Sequence, residues 1–176
     1  MRSLLVCLLV PAAVAMAQDN PFSAFNKRAF EQMKMWMLSS AEKMPAGHYD
    51  FKPTASVRSF GQIIGHVADT QNMFCSVVLG EKNPAPGIEK TKTTKADLLA
   101  ALKGAFAYCD KAYDNITDAD ATQTVKLFGG DVPKPIVLTI NDMHDAEHYG
   151  NIVTYLRMNN IVPPSSEPRS QPQPKK

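Results

Sequence analysis

Four segments with apolar residues at helical spacing limit how this chain can fold. They are Pro21–Met44, a segment opening at Ser59, a segment opening at Thr94, and Thr139–Asn160. In each segment apolar residues recur at steps of three and four, which places them on one face of a helix. Four helices of about 20 residues joined by connections of unequal length predict an all-α four-helix bundle.

Local signals place the ends of these helices. Ser59 and Gln62 have the spacing of a capping box, in which each side chain bonds the other's backbone amide at a helix start. Pro163 and the proline after it end the fourth helix. Before that helix, Thr124–Val132 contains a Gly-Gly pair between short apolar stretches, which predicts a short hairpin or an ordered loop.

The first 17 residues have the order of a secretory signal peptide. Arg2 precedes an apolar run that ends in Ala15-Met16-Ala17, the charged, apolar and small-residue regions of such a signal. The alternatives are a membrane anchor or a buried strand, but the run falls short of the roughly 20 residues that span a bilayer. We expect an exported protein, periplasmic or extracellular, with no stable membrane anchor after cleavage.

Composition then defines one folded domain. The chain has 176 residues, of which 44% are hydrophobic and 20% charged, values typical of a single globular domain. Residues 163–176 are rich in proline and poor in apolar side chains, which predicts a disordered tail after a bundle spanning residues 18–162. The net charge of +2 gives no concentrated basic face, so we expect no nucleic-acid partner.

His144 and His148 lie four residues apart in the fourth helix. Side chains at this spacing project from the same helix face, and two imidazoles so placed can hold one divalent metal. The pair alone would fit equally well with two histidines on the helix surface that bind no metal. Polar side chains on the same stripe need a metal, a ligand or another polar partner if they face the core. The residues of this stripe are Val137, Ile140, Asn141, His144, His148, Asn151 and Tyr155.

His66 in the second helix is the third candidate ligand. It lies on the flank shared with Ile63 and Thr70, although a lone boundary histidine bonded to a carbonyl would fit the same pattern. Three imidazoles leave coordination positions open for water or substrate, as catalytic metal sites do. We expect zinc or nickel as the metal, with iron, manganese and copper as alternatives.

His144-Asp145-Ala146-Glu147-His148 also matches the His-x-x-Glu-His motif of one class of metalloproteases. Those enzymes need a further acidic ligand downstream, and the acidic residue after His148 is Glu167 in the proline-rich tail. Peptidase activity is therefore not expected. The sequence assigns no catalytic residue; Asn141, Glu147, Asn151 and Tyr155 are candidates for a substrate pocket or for supporting the ligands.

The fourth histidine and two cysteines lie outside this pattern. His48 follows the first helix in a loop and is expected to be exposed. Cys75 and Cys109 would form a disulfide in an oxidising compartment or pack separately as small buried residues. Cys75 lies about half a turn around its helix from His66, so we do not expect it to bind the same metal.

Three stretches together resemble the DinB-like (YfiT-like) four-helix proteins. They are Tyr49-Asp50-Phe51-Lys52-Pro53, the segment Ser59–His66, and the segment His144–Arg157. The resemblance implies a four-helix bundle in which His66, His144 and His148 form a three-histidine site for a divalent metal, and it implies homodimers. Some relatives use low-molecular-weight thiols, which are mostly cytosolic, so an exported member favours hydrolysis or plain binding over thiol transfer.

These patterns lead to one expectation and one alternative. The expectation is an exported DinB-like protein with a three-histidine metal site, acting as a metal-dependent hydrolase or transferase on a small molecule that the sequence does not identify. The alternative is a non-catalytic bundle that binds a metal or ligand, or that acts as a dimeric interaction protein.

Overall fold

The computed structural model describes residues 20–168. The predicted signal peptide lies outside the described residues, so it stays a prediction. Within residues 20–168, no helix combines the length and the apolar character needed to cross a membrane.

Helices dominate the described residues, as the apolar spacing predicted. The α-helices and strands are α1 (Pro21–Lys43), α2 (Phe60–Leu79), α3 (Ile88–Thr91), α4 (Lys95–Asn115), β1 (Thr124–Leu127), β2 (Gly130–Pro133) and α5 (Lys134–Met158). The long helices α1, α2, α4 and α5 confirm the all-α bundle, and β1 with β2 confirms the predicted hairpin. The short α3 was not predicted, because a single turn has no apolar period to detect.

Side chains at the helix starts explain where α2 and α4 begin. The Ser59 hydroxyl accepts a hydrogen bond from the Gln62 amide at 3.2 Å, and the Gln62 side chain accepts one from the Ser59 amide at 2.8 Å. At the start of α4, the Thr94 hydroxyl accepts a hydrogen bond from the Asp97 amide at 3.1 Å. Each contact satisfies an amide that has no partner within its helix.

The last helix begins five residues earlier than predicted, at Lys134 instead of Thr139. Pro133 ends β2, and Pro135 lies in the first turn of α5. A proline there removes no hydrogen bond, because the first amides of a helix have no partner within it. The early start joins the hairpin directly to α5.

Helix adjacency places the two histidine-bearing helices side by side. Both α1 and α2 pack against α4 and α5, which puts α1 and α2 at diagonal positions of the bundle. Phe30 stacks on Tyr113 with ring centres 3.9 Å apart. The largest fully buried apolar side chains include Phe30, Phe60, Phe106, Met37, Ile64, Leu102 and Leu156. Because α2 and α5 are neighbours, His66 can meet His144 and His148.

A disulfide joins α2 to α4. Cys75 and Cys109 are both fully buried, with Cα atoms 5.3 Å apart, and they are bonded. The sequence left open a disulfide or two separately packed thiols, and the structure contains the disulfide. It closes a chain separation of 34 residues, and a loop of that length stabilises a fold by about 4 kcal/mol in the chain-entropy description.

The segment 163–168 corrects the prediction of a disordered tail from Pro163 onward. Pro163 is buried, and Pro164–Ser166 forms a 3₁₀ turn. The Ser165 amide donates to the Tyr149 hydroxyl at 2.9 Å, and Lys43 pairs with Glu167. Proline has few backbone conformations to lose, so a short segment needs few contacts to stay ordered. Residues 169–176 lie outside the described residues.

Candidate metal centre

The structure brings His66, His144 and His148 together on the face shared by α2 and α5. The Nε2 atom of His144 lies 3.1 Å from Nε2 of His66 and 3.1 Å from Nε2 of His148. One ligand atom from each of the three rings lies within 4.8 Å of the others. Three histidines so placed could hold one metal ion. His48 is exposed in the turn after α1, as predicted, and takes no part.

The other nitrogen of each ring has a polar neighbour. Nδ1 of His66 lies 3.2 Å from a Glu89 carboxylate oxygen. Nδ1 of His144 lies 3.3 Å from the Thr70 hydroxyl, and Nδ1 of His148 lies 3.5 Å from the amide nitrogen of the Asn151 side chain. Such outer partners orient metal-ligating imidazoles. They turn the three Nε2 atoms toward a common point, where a shared proton or a cation can link them.

Thr70 also sets the tautomer of His144. Its hydroxyl donates to the carbonyl oxygens of His66 and Val67, each at 3.0 Å. The hydroxyl has one proton, so its oxygen is left to accept from Nδ1–H of His144. The proton of the neutral ring therefore sits on Nδ1, and the Nε2 lone pair faces the other two histidines.

Burial keeps two of the rings neutral. Burial, together with the charges of His148 and His66, lowers the pKa of His144 to about 4. Burial also lowers the pKa of His148 to about 4, together with the charges of His66 and Arg58. At neutral pH both rings are therefore unprotonated, which is the form that binds a metal.

Glu89 is a site residue that the sequence did not reveal. The short helix α3 brings it to α2, where the Asp69 carboxylate accepts hydrogen bonds from the Ile88 and Glu89 amides at 2.8 and 2.9 Å. One Glu89 oxygen faces His66, and the other accepts from Nε of Arg58 at 2.9 Å. A carboxylate on the outer nitrogen of a ligating histidine is a common support of metal sites.

Gly65 allows this approach. A Cβ atom at Gly65 would lie 2.7 Å from the Glu89 Cα atom, closer than two carbon atoms pack. Only the missing side chain lets α3 lie this near to α2. Glu89 therefore reaches His66 because a glycine precedes that histidine.

A cleft of about 610 Å³ opens beside His148. Arg58, Glu147, Asn151 and Tyr155 line it along with His148. Glu147 and Asn151 are exposed, whereas Tyr155 is buried and donates to the Arg58 carbonyl oxygen at 2.6 Å. Of the residues predicted to form a pocket, Glu147, Asn151 and Tyr155 are thus found next to the histidines.

The family model described as the DinB superfamily matches residues 29–152, a stretch that includes all three histidines. The chain belongs to the DinB superfamily. Its similarity to uncharacterized protein YjoA of Bacillus subtilis (strain 168) is 27% identity over 123 residues, which are 66% of this chain and 77% of YjoA.

Solved structures show the same fold for this DinB-superfamily chain. A DinB-like protein from Bacillus cereus ATCC 10987 superposes with a TM-score of 0.69 at 14% identity, covering 79% of this chain and 93% of that one. The crystal structure of YjoA from Bacillus subtilis superposes with a TM-score of 0.67 at 22% identity, covering 83% of this chain and 99% of that one.

Asn141 does not line the cleft of this DinB-superfamily protein. Its side-chain amide is fully buried and donates to the Gln71 carboxamide at 3.0 Å and to the Tyr113 hydroxyl at 3.1 Å. Asp145, also fully buried, accepts from Gln71 at 2.6 Å. Burial raises the pKa of Asp145 well above its usual value and that of Asp142 to about 7. Helical spacing predicted the face of Asn141 but not its partners on α2 and α4.

The role of Gly65 predicts opposite effects for two glycine substitutions. Gly65→Ala should lower the free energy of unfolding by about 1–3 kcal/mol, because its Cβ atom meets the Glu89 backbone. Gly104→Ala should raise it by about 0.5–1 kcal/mol, because that glycine lies in α4 with nothing within 4 Å and alanine is the better helix former. Urea denaturation measures both, and equal effects would contradict the packing of α3 on Gly65.

Proposed function

We propose that this protein is a metal-dependent enzyme in which His66, His144 and His148 hold one divalent cation. The observation that carries the proposal is the convergence of three Nε2 atoms while each Nδ1 has a polar neighbour. The reaction we propose is hydrolysis or group transfer on a small molecule that binds in the cleft beside His148.

Three protein ligands leave positions for water or substrate on the metal. When bound, a divalent metal supplies a low-pKa water or an activated nucleophile, and it polarises an acceptor group. Imidazole ligands suit zinc and nickel, which we propose first, and also iron and copper; manganese is a further alternative. The nitrogen-only donor set disfavours magnesium and calcium, which prefer oxygen.

The lining of the cleft suggests how the chain would handle a substrate. Arg58 presents a guanidinium group at the boundary between Glu89 and the cleft, where it can orient an anionic or carbonyl oxygen. Among the residues that line the cleft, Glu147 supplies the carboxylate, so we propose it as the proton acceptor. Asn151 both lines the cleft and holds His148.

We also propose that the protein is exported and forms a homodimer. The signal-like residues 1–17 support export. The Cys75–Cys109 bridge gives independent support, because disulfides persist mainly in oxidising compartments. The homodimer rests on the resemblance to DinB-like proteins.

Metal analysis tests the shared premise of these proposals. Protein purified without an affinity tag should bind about one equivalent of zinc or nickel after dialysis, because three converging imidazoles hold a divalent ion tightly. His144→Ala should lose this metal, and the exposed control His48→Ala should keep it. Elemental analysis by mass spectrometry gives the stoichiometry. Equal metal content in all three proteins would contradict the assignment.

A turnover assay distinguishes an enzyme from a protein that only binds the metal or a ligand. Metal-loaded protein should hydrolyse or transfer at least one member of a panel of esters, amides and thiol adducts. Chelation should remove that activity, and Glu147→Gln should reduce it with metal content unchanged. Stoichiometric metal with no turnover across the panel would instead favour the non-catalytic binding bundle.

The contact between Glu89 and His66 predicts a graded loss of affinity. Glu89→Ala should weaken metal binding by about 10–100-fold, because His66 loses the carboxylate that orients its ring. Lys90→Ala, a change at the neighbouring exposed residue, should leave the dissociation constant unchanged. Competition titration against a chromogenic chelator measures both variants. An unchanged affinity in Glu89→Ala would show that this contact does not support the site.

A further inference from the structure

The tip of the hairpin carries a residue that the fold itself does not explain. Phe128 has φ of +50° and is 79% exposed, and Gly129 follows it with φ of +85°. A two-residue hairpin loop with both residues in the left-handed conformation favours asparagine, aspartate and glycine. A phenylalanine there costs about 1–2 kcal/mol of backbone strain and gains little from burial. Strain that packing does not explain often marks a functional position.

The position of Phe128 connects it to the histidines. Its ring lies edge-on to that of Phe74, with centres 6.2 Å apart, and the Phe74 ring lies 6.0 Å from the ring of His144. Phe74 is buried on α2, so Phe128 is the exposed end of this row of rings. The row leads from solvent to the His144 side of the metal centre.

The two sides of the metal centre therefore differ in chemistry. The cleft on the His148 side holds Arg58, Glu147 and Asn151. On the His144 side, the buried Phe74 ring lies against the His144 ring, and the exposed Phe128 ring lies beyond it. A molecule bound at the metal would meet charged and polar groups on the His148 side, and one long enough to extend past His144 would reach the exposed Phe128 ring on the other side.

We propose that Phe128, supported by Phe74, forms an apolar subsite beside the metal centre. The ligand would then carry an alkyl or aromatic group next to the group that binds the metal. This inference rests on the proposed metal-dependent function and names the class of its substrate. The contact of Phe74 with His144 favours a ligand at the metal as the occupant of this surface over a second copy of the chain.

Two hydroxamates that differ in their apolar part test the subsite. Hydroxamates bind divalent metals, and acetohydroxamate has a methyl group where octanohydroxamate has an alkyl chain. Calorimetry with zinc-loaded protein should show octanohydroxamate binding at least about tenfold more tightly, because part of its chain is buried against Phe128. Phe128→Asn should remove most of this preference and leave acetohydroxamate binding unchanged.

The same variant separates a binding role from a structural one. Asparagine adopts the left-handed conformation readily, so Phe128→Asn should melt at the same temperature as the native protein or higher. A lower melting temperature would assign Phe128 to the fold and overturn the inference. Phe25→Gln, which removes a 62% exposed ring from α1, should keep both the preference and the short-chain affinity.

The remaining outcomes are distinct. Retained preference in Phe128→Asn would overturn the subsite and leave the metal centre intact. If Phe128→Asn keeps the preference for octanohydroxamate but sediments with a lower mass than the native protein, Phe128 contacts a second copy of the chain. That result also overturns the subsite. The proposed function, and the subsite with it, would be overturned if native protein did not hold zinc. The same conclusion would follow if zinc-loaded protein bound neither hydroxamate.

Discussion

The contact between α2 and α5 is the interaction on which the rest of the site depends. Three imidazole nitrogens point at one another across it, with the two Nε2 contacts of His144 both at 3.1 Å. A proton shared between rings or a cation bound by all three can link nitrogens at this distance, and three converging imidazoles suit a divalent cation. The contacts around it hold the rings in place: Glu89, Thr70 and Asn151 each lie at the outer nitrogen of one ring.

Buried polar groups fix the register of the same two helices. Gln71 of α2 bonds both Asn141 and Asp145 of α5, and Tyr113 of α4 donates to Asp142 at 2.8 Å. The Cys75–Cys109 bridge ties α2 to α4 independently. Buried polar contacts are specific about geometry because an unpaired member is costly. These contacts therefore set the helix register that brings the histidines of α2 and α5 together.

Helical spacing predicted the bundle and the helix faces, because period and caps are local properties of a sequence. Spacing also put His144 and His148 on one face, but that His66 meets them depends on helix adjacency, which sequence periods do not encode. Glu89 lies in the single-turn helix α3, whose position depends on packing against Gly65 and on hydrogen bonds to Asp69. These contacts form only in the folded state. The order of Pro164–Ser166 was missed for a similar reason, since it depends on contacts with distant residues.

The most direct test of the metal centre is anomalous X-ray scattering from a crystal of the protein soaked or grown with zinc. The arrangement predicts one strong peak at the zinc edge, bonded to Nε2 of His66, His144 and His148 at about 2.0–2.1 Å, with the Nδ1 contacts retained. A peak elsewhere on the chain, or none at these nitrogens at full zinc saturation, would contradict it.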